Sequence, residues 1–289
     1  MGVEHTIRPL MPEAALNSRV VRAQALLKTA PMPPSPSASP RRRADLLLVE
    51  RGLFESRAKA QAAIAAGGVT ADGAAVARAS DMLPPDATIA AEPAHPYVSR
   101  GGVKLAHALD VFAVDVDGLH ALDVGASTGG FSEVLLARGA AHVTAVDVGR
   151  DQLHPRLQGH PRLTSFESLD IRALDASALP QPPQIVVMDV SFAPLAVVLP
   201  AALMLAAPAM TLVALVKPQF EAGKKDIGKG GVVKDEAARR RVVEAAEDLV
   251  RAAGLNVRGV VPSPIAGGDG NVEYLLAADR DPGVRASRP

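Results

Sequence analysis

Apolar residues fall into short runs whose period changes along the chain. GLHALDV (118–124), HVTAVDV (142–148), QIVVMDV (184–190) and TLVALVK (211–217) have strand length, and the first three end in Asp-Val. Helical stretches separate several of them. Strands alternating with helices predict an α/β unit with a mostly parallel sheet covered on both faces. LNVRGVV (255–261) and NVEYLLAA (271–278) follow with only a loop between them. That gap is too short for a helical crossover, so this last pair is expected to be antiparallel.

The pattern nearer the N-terminus is different. ADLLLVERG (44–52) reads as a short helix stopped by Gly52. SRAKAQAAIAAGG (56–68) reads as a second helix, with Ser56 as N-cap and Gly67 as its stop. VTADGAAV (69–76) reads as a hairpin around Asp72-Gly73. Arg57 and Gln61 share one helix face and Lys59 points elsewhere. Two readings stand: a solvated basic face, or a contact to an RNA backbone. PMPPSPSASP (31–40) is Pro- and Ser-rich with little to bury. Residues 1–42 are therefore expected to be a disordered or low-complexity tail, within which Met32 is an alternative start. The small unit is expected over 43–90, a proline-containing linker over 91–98, the larger unit over 99–280, and a tail over 281–289.

Val190 to Val216 carries no charged residue over 27 positions, long enough to span a bilayer. Pro194, Pro200 and Pro208 interrupt it, so the expectation is a buried helix, a turn and a central strand. Lys217 ends that run. A lysine there is costly unless a partner or a task holds it.

Hydrophobic content is 48%, charged content 21% and formal net charge zero, so any basic surface must be local. With no cysteine there are no disulfides or thiolate metal sites, and no metal site is expected. Arg8, Arg19, Arg22 and Lys28 precede no apolar h-region, unlike a secretory signal. The expected location is cytoplasmic.

Chemistry concentrates at strand ends. The first strand runs into DVGASTGGF, Asp123 to Phe131. Gly125, Gly129 and Gly130 let the backbone turn sharply and approach a ligand. The spacing is not the Gly-x-Gly-x-x-Gly of a dinucleotide site. Asp123, two before the first glycine, fits an S-adenosylmethionine site, where acidic groups favour the cationic ligand. Ala126, Ser127, Thr128 and Phe131 complete the turn. Asp147, 22 positions after Gly125 and followed by Val148, stands where a ribose diol is bonded. Asp170 and Ile171 follow the third strand and would flank an adenine ring. Loop-capping aspartates are the plainer reading of Asp147 and Asp170.

These segments carry two resemblances. SRAKAQAAIAAGGVTADGAAV resembles an S4 RNA-binding domain. SRGGVKL, DVGASTGGF, DVSF, KPQFEAG, GKGGVVKD and GNVEYL resemble the TlyA family, which joins an S4 domain to an FtsJ-like methyltransferase domain; the match covers roughly residues 43–280. The resemblance implies a class I, Rossmann-like fold and S-adenosylmethionine-dependent 2′-O-methylation of cytidine in ribosomal RNA, large-subunit 23S and for some members small-subunit 16S. It implies the tetrad Lys104, Asp189, Lys217 and Glu273. A ribose hydroxyl is a poor nucleophile, and a base must take its proton as the oxygen attacks. A lysine does this when burial or a nearby cation lowers its pKa. The apolar strand before Lys217 supplies burial and Lys104 a cation, while Asp189 and Glu273 act the other way. Two structural ion pairs are the plainer reading. Phe220 to Glu236 is a glycine- and lysine-rich loop, and Lys224, Lys225 and Lys229 are candidate RNA contacts beside Arg57, Lys59 and Gln61. Ribosomal RNA or ribosomal subunits are the expected partners, with no membrane. Two rivals are a non-catalytic ribosome-binding factor and, from the family's second label, a membrane-active haemolysin.

Overall fold

The computed structural model describes residues 40–191, 193–223, 226–228, 230–267 and 270–281. The chain divides after Ala94 into two compact units.

In the first unit, β1 (Arg42–Arg43) pairs antiparallel with β4 (Met82–Leu83). Helix α1 (Ala44–Glu50) ends before Gly52 at φ +70°. Helix α2 (Arg57–Ala65) starts where Ser56 Oγ accepts the Lys59 N–H, and Gly67 at φ +75° follows its end. Strands β2 (Val69–Ala71) and β3 (Ala74–Ala75) form the expected hairpin. Its two turn residues, Asp72 and Gly73, both have positive φ, as the right-handed strand twist favours. Strand β5 (Ile89–Ala91) pairs with the other edge of β2, so ordered pairing extends just past the expected boundary at residue 90. Ala44, Leu48, Ala60, Ala63, Ile64 and Val69 form the centre of this unit's core.

The second unit is built on seven strands: β6 (His120–Val124), β7 (His142–Val146), β8 (Leu163–Phe166), β9 (Ile185–Met188), β10 (Met210–Val216), β11 (Asn256–Pro262) and β12 (Tyr274–Arg280). Their order is β8-β7-β6-β9-β10-β12-β11. Strands β6 to β10 are parallel to one another, and β12 runs antiparallel to both β10 and β11. The expected antiparallel closing pair is thus present, with the last strand inserted between β10 and β11.

Alternation along the strands decides which helix each residue meets. Leu122, Val186, Leu212, Ala214 and Leu276 join one core, with α5 (Leu195–Leu205) and α7 (Glu236–Ala252). Ala121, Val187, Val213, Leu215 and Leu275 join the opposite core, with α3 (Arg100–Val111) and α4 (Gly130–Ala137). The charge-free run from Val190 to Val216 resolves as a loop, α5 and the central strand β10. Pro208 lies in the turn between helix and strand. Among the described residues no helix is long and apolar enough to cross a membrane.

Candidate active site

The glycine turn after β6 is packed from several sides. Gly125 has φ +82°, and a Cβ there would stand 2.7 Å from the Asp189 carbonyl oxygen. A Cβ at Gly130 would meet Ser99 Oγ at 2.1 Å. Only glycine lets the turn, the loop after β9 and the start of α3 approach this closely.

A cavity of about 370 Å³ opens over this turn at the C-terminal ends of the strands, in the size range of small-molecule sites. Of the residues expected to bind a cofactor, Gly125, Ser127, Asp147, Val148, Asp170 and Ile171 line it. Gly149, Gln152, Leu169, Val190 and Ser191 line it too, as does Asp189.

The other expected cofactor residues stand behind the wall. Ala126, Thr128, Gly129, Gly130 and Phe131 shape the turn without lining the cavity. Asp123 differs from expectation in the same way. Strand alternation turns it to the face of Ala121, where it is fully buried and its Oδ2 accepts from Ser132 Oγ of α4 at 2.7 Å. Its Oδ1 meets no donor among the described residues. Burial, with added repulsion from Asp189 and Asp147, pushes this carboxyl up to about 7.

Asp147 fastens the wall. Its Oδ2 accepts the Ser127 N–H at 2.7 Å and its Oδ1 the Gly149 N–H at 2.6 Å. Glu167, which sequence reasoning missed, accepts the N–H groups of Asp151, Gln152 and Leu153. Those bonds hold its carboxyl below the usual range. Nothing in local sequence marks it, because its partners come from another strand's loop. Asp170 does cap the single turn Ile171–Ala173. Its bond to Arg172 lowers its carboxyl to about 2. Carboxylates at the rim with Val148, Ile171 and Val190 between them fit a ligand that joins polar groups to an aromatic base, and S-adenosylmethionine has that chemistry.

The four tetrad residues come together beside this cavity as two ion pairs. Lys104, on α3, meets Glu273 Oε2 at 2.5 Å. Lys217, just past β10, meets Asp189 Oδ1 at 2.6 Å and donates to Ser191 Oγ at 2.8 Å. Both lysines are buried. The Phe220 ring centroid is 5.8 Å from the Lys217 ammonium. The turn carrying Lys217 leads into α6 (Pro218–Glu221), where Gln219 Nε2 donates to Glu273 Oε1 at 3.2 Å. Glu221 Oε1 accepts the Leu195 N–H at the start of α5. This turn therefore touches the ends of β9 and α5 and the segment before β12.

Asn271 anchors that last segment. It is fully buried, accepts the Val233 N–H and donates to the Gly231 carbonyl, both at 3.0 Å. Ser191, Gln219 and Asn271 stand within motifs that sequence reading noticed, but their roles depend on contacts between distant segments. Among the described residues no cluster suits a metal ion.

In the first unit, Arg57 and Gln61 do share a face. Both donate to Asp45 Oδ2, at 3.0 and 2.8 Å, and Arg43 donates to the same carboxylate. Asp45 is fully buried, and chiefly the Arg43 bonds hold its carboxyl well below the usual range. Lys59 points elsewhere, to Glu55. Lys224, Lys225 and Lys229 lie outside the described residues.

Comparison with known proteins agrees with this fold. The family model for FtsJ-like methyltransferases matches residues 97–280. The chain is 46% identical over 238 residues to the 16S/23S rRNA (cytidine-2'-O)-methyltransferase TlyA of Mycobacterium tuberculosis, spanning 82% of this chain and 89% of that protein. It is 35% identical over 234 residues to Hemolysin A of Brachyspira hyodysenteriae, spanning 81% and 98%. A solved structure of a putative hemolysin from Streptococcus thermophilus superposes with a TM-score of 0.66 at 37% identity, covering 83% of this chain and 89% of that one.

Proposed function

The chain belongs to the FtsJ-like methyltransferase family, and from that premise we propose that it moves a methyl group from S-adenosylmethionine to the ribose 2′-hydroxyl of a cytidine in ribosomal RNA. One observation carries the reading: Asp189 both lines the cofactor cavity and pairs with Lys217. The proton acceptor thus stands at the edge of the site that holds the methyl donor. Bound S-adenosylmethionine supplies an electrophilic methyl group. Asp147 would hold its ribose, Asp170 and Ile171 would flank its base, and the glycine turn would let the backbone come close.

Lys217 takes the hydroxyl proton as the ribose oxygen attacks. Asp189 and Ser191 fix the position of its nitrogen, which must be the neutral amine when it accepts the proton. Lys104 and Glu273 orient the ribose, and the buried setting excludes water from the reacting groups. Orientation of this kind supplies much of the acceleration that the weak base cannot.

The first unit, residues 43–90 with its short extension, acts as an S4-like module that holds folded RNA; the second, from about 99 to 280, carries the chemistry. Arg57, Lys59, Gln61 and the lysines at 224, 225 and 229 contact phosphates. Action on ribosomal RNA places the enzyme in the cytoplasm. The deciding experiment incubates the protein and tritiated S-adenosylmethionine with isolated large and small ribosomal subunits. Ribose-methylated cytidine in either RNA supports the proposal, and no incorporation in both overturns it in favour of a non-catalytic ribosome-binding factor.

A further inference from the structure

We infer that Gln219 is a positioning residue that confines Glu273 to Lys104 and keeps this second carboxylate away from Lys217. The inference rests on the proposed role of Lys217 as proton acceptor.

The two oxygens of Glu273 are divided. Oε2 faces Lys104 at 2.5 Å and Oε1 takes the Gln219 amide at 3.2 Å. Glu273 is 3% exposed, so water offers little competition for either oxygen. A carboxylate only accepts, so the amide must turn its nitrogen toward Glu273 and its oxygen away. That outward oxygen, Oε1 of Gln219, is buried and meets no donor among the described residues. A buried acceptor without a donor costs stability, and an apolar side chain of equal length would avoid that cost. The orphaned oxygen is thus the consequence of placing a neutral donor beside Glu273.

Neutrality matters because Gln219 is two residues from Lys217. A carboxylate beside an ammonium favours the charged form, and a charged lysine cannot accept a proton. Among the described residues, the charged groups around this turn include Asp189 at the end of β9, Lys104 on α3, Glu273 ahead of β12, Glu221 on the turn itself and Asp123 at the end of β6. Asp189 already pairs with Lys217 and Glu221 is bonded to the Leu195 N–H. Glu273 is the carboxylate left to restrain. Gln219 restrains it without adding charge, as a lysine, arginine or glutamate in its place would.

The test measures single-turnover methyl transfer to ribosomal subunits at saturating cofactor across pH 6–10, for the whole chain with Gln219→Met and Gln219→Glu. Methionine keeps the length and removes the donor; glutamate adds a carboxylate. Both variants should bind cofactor as the unaltered protein does. The midpoint of the rising limb should move up by about one pH unit, giving roughly tenfold slower transfer below it and convergence above it. A midpoint that stays put, or an equal loss of rate at every pH, overturns the inference, since a merely structural glutamine would give one or the other. If Gln219→Met loses cofactor binding, Gln219→Glu decides. Failure of the unaltered protein to methylate either subunit would instead sink the proposed function, and this inference with it.

Discussion

Lys104 and Glu273 are 169 positions apart in the chain and meet at 2.5 Å in a buried ion pair. Removing one partner leaves an uncompensated buried charge, which typically costs about 3–5 kcal/mol. Lys104→Met and Glu273→Leu should each destabilise the second unit by that order. The double variant should lose much less, because no lone charge remains. All three should lack methyl transfer. Urea unfolding of the set checks this, and a double variant as unstable as the sum of the singles would show that the pair is not coupled.

Lys217 and Asp147 separate chemistry from cofactor binding. Lys217→Ala should drop turnover by about 10²-fold or more, the usual scale of a general base, with cofactor affinity nearly unchanged. Asp147→Ala should weaken the cofactor itself, because it removes both the proposed ribose contact and the tie between Ser127 and Gly149. Calorimetric titration of both variants decides; equal losses of affinity would refute this division of roles.

Gly125→Ala tests the close approach of the cofactor turn. The new Cβ would collide with the Asp189 carbonyl and the backbone would be held at φ +82°. Strain of this kind costs on the order of 1–3 kcal/mol. Cofactor affinity should fall at least tenfold, and so should the rate, because the displaced backbone is that of Asp189, which pairs with Lys217. Equilibrium dialysis with labelled cofactor measures the first effect.

Asp123 makes stability depend on pH. Its carboxyl is raised to about 7 by burial, against about 3.9 in an unfolded chain. The folded state therefore holds the proton more tightly, and stability falls as pH rises from about 4 to about 7. Asp123→Asn cannot ionise and still accepts from Ser132. Its advantage over the unaltered chain should be absent near pH 4 and reach a few kcal/mol, as an order of magnitude, above pH 7. Denaturant melts across that window test it, and a constant difference would exclude the linkage.

Asp45 ties together Arg43, Arg57 and Gln61. Asp45→Ala should loosen the first unit and weaken RNA binding while cofactor affinity stays intact. Arg57→Ala should weaken RNA binding with a shallower salt dependence. Filter binding at several salt concentrations distinguishes the two. Since the Asp45 carboxyl is held low, its stabilisation is present at neutral pH and lost only in strong acid.

The sequence showed strand ends well and side-chain direction poorly. The Asp-Val endings located β6, β7 and β9, and the missing crossover between the last two runs predicted their antiparallel pairing. Lys104, Asp189, Lys217 and Glu273 could be picked out as candidates because each lies in a short, distinctive motif, and the fold joins them as two ion pairs. Asp123 was placed at the ligand by its distance from Gly125; its position on the strand turns it toward Ser132 instead. The roles of Glu167, Ser191 and Gln219 were not legible because each works through a partner on another segment. The same holds for Asp45, whose three donors come from one helix and a strand and so bond a face that the sequence left as either solvated or RNA-contacting.

Strand β12 enters the sheet between β10 and β11, and Glu273 immediately precedes it. During synthesis this strand emerges after every other element of the sheet, and its slot must stay open until then. A nascent chain still tethered at that stage has the glycine turn, both lysines and Asp189, but not the glutamate that neutralises Lys104. Until β12 is in place, Lys104 is therefore an ammonium without the counter-ion that its buried setting requires.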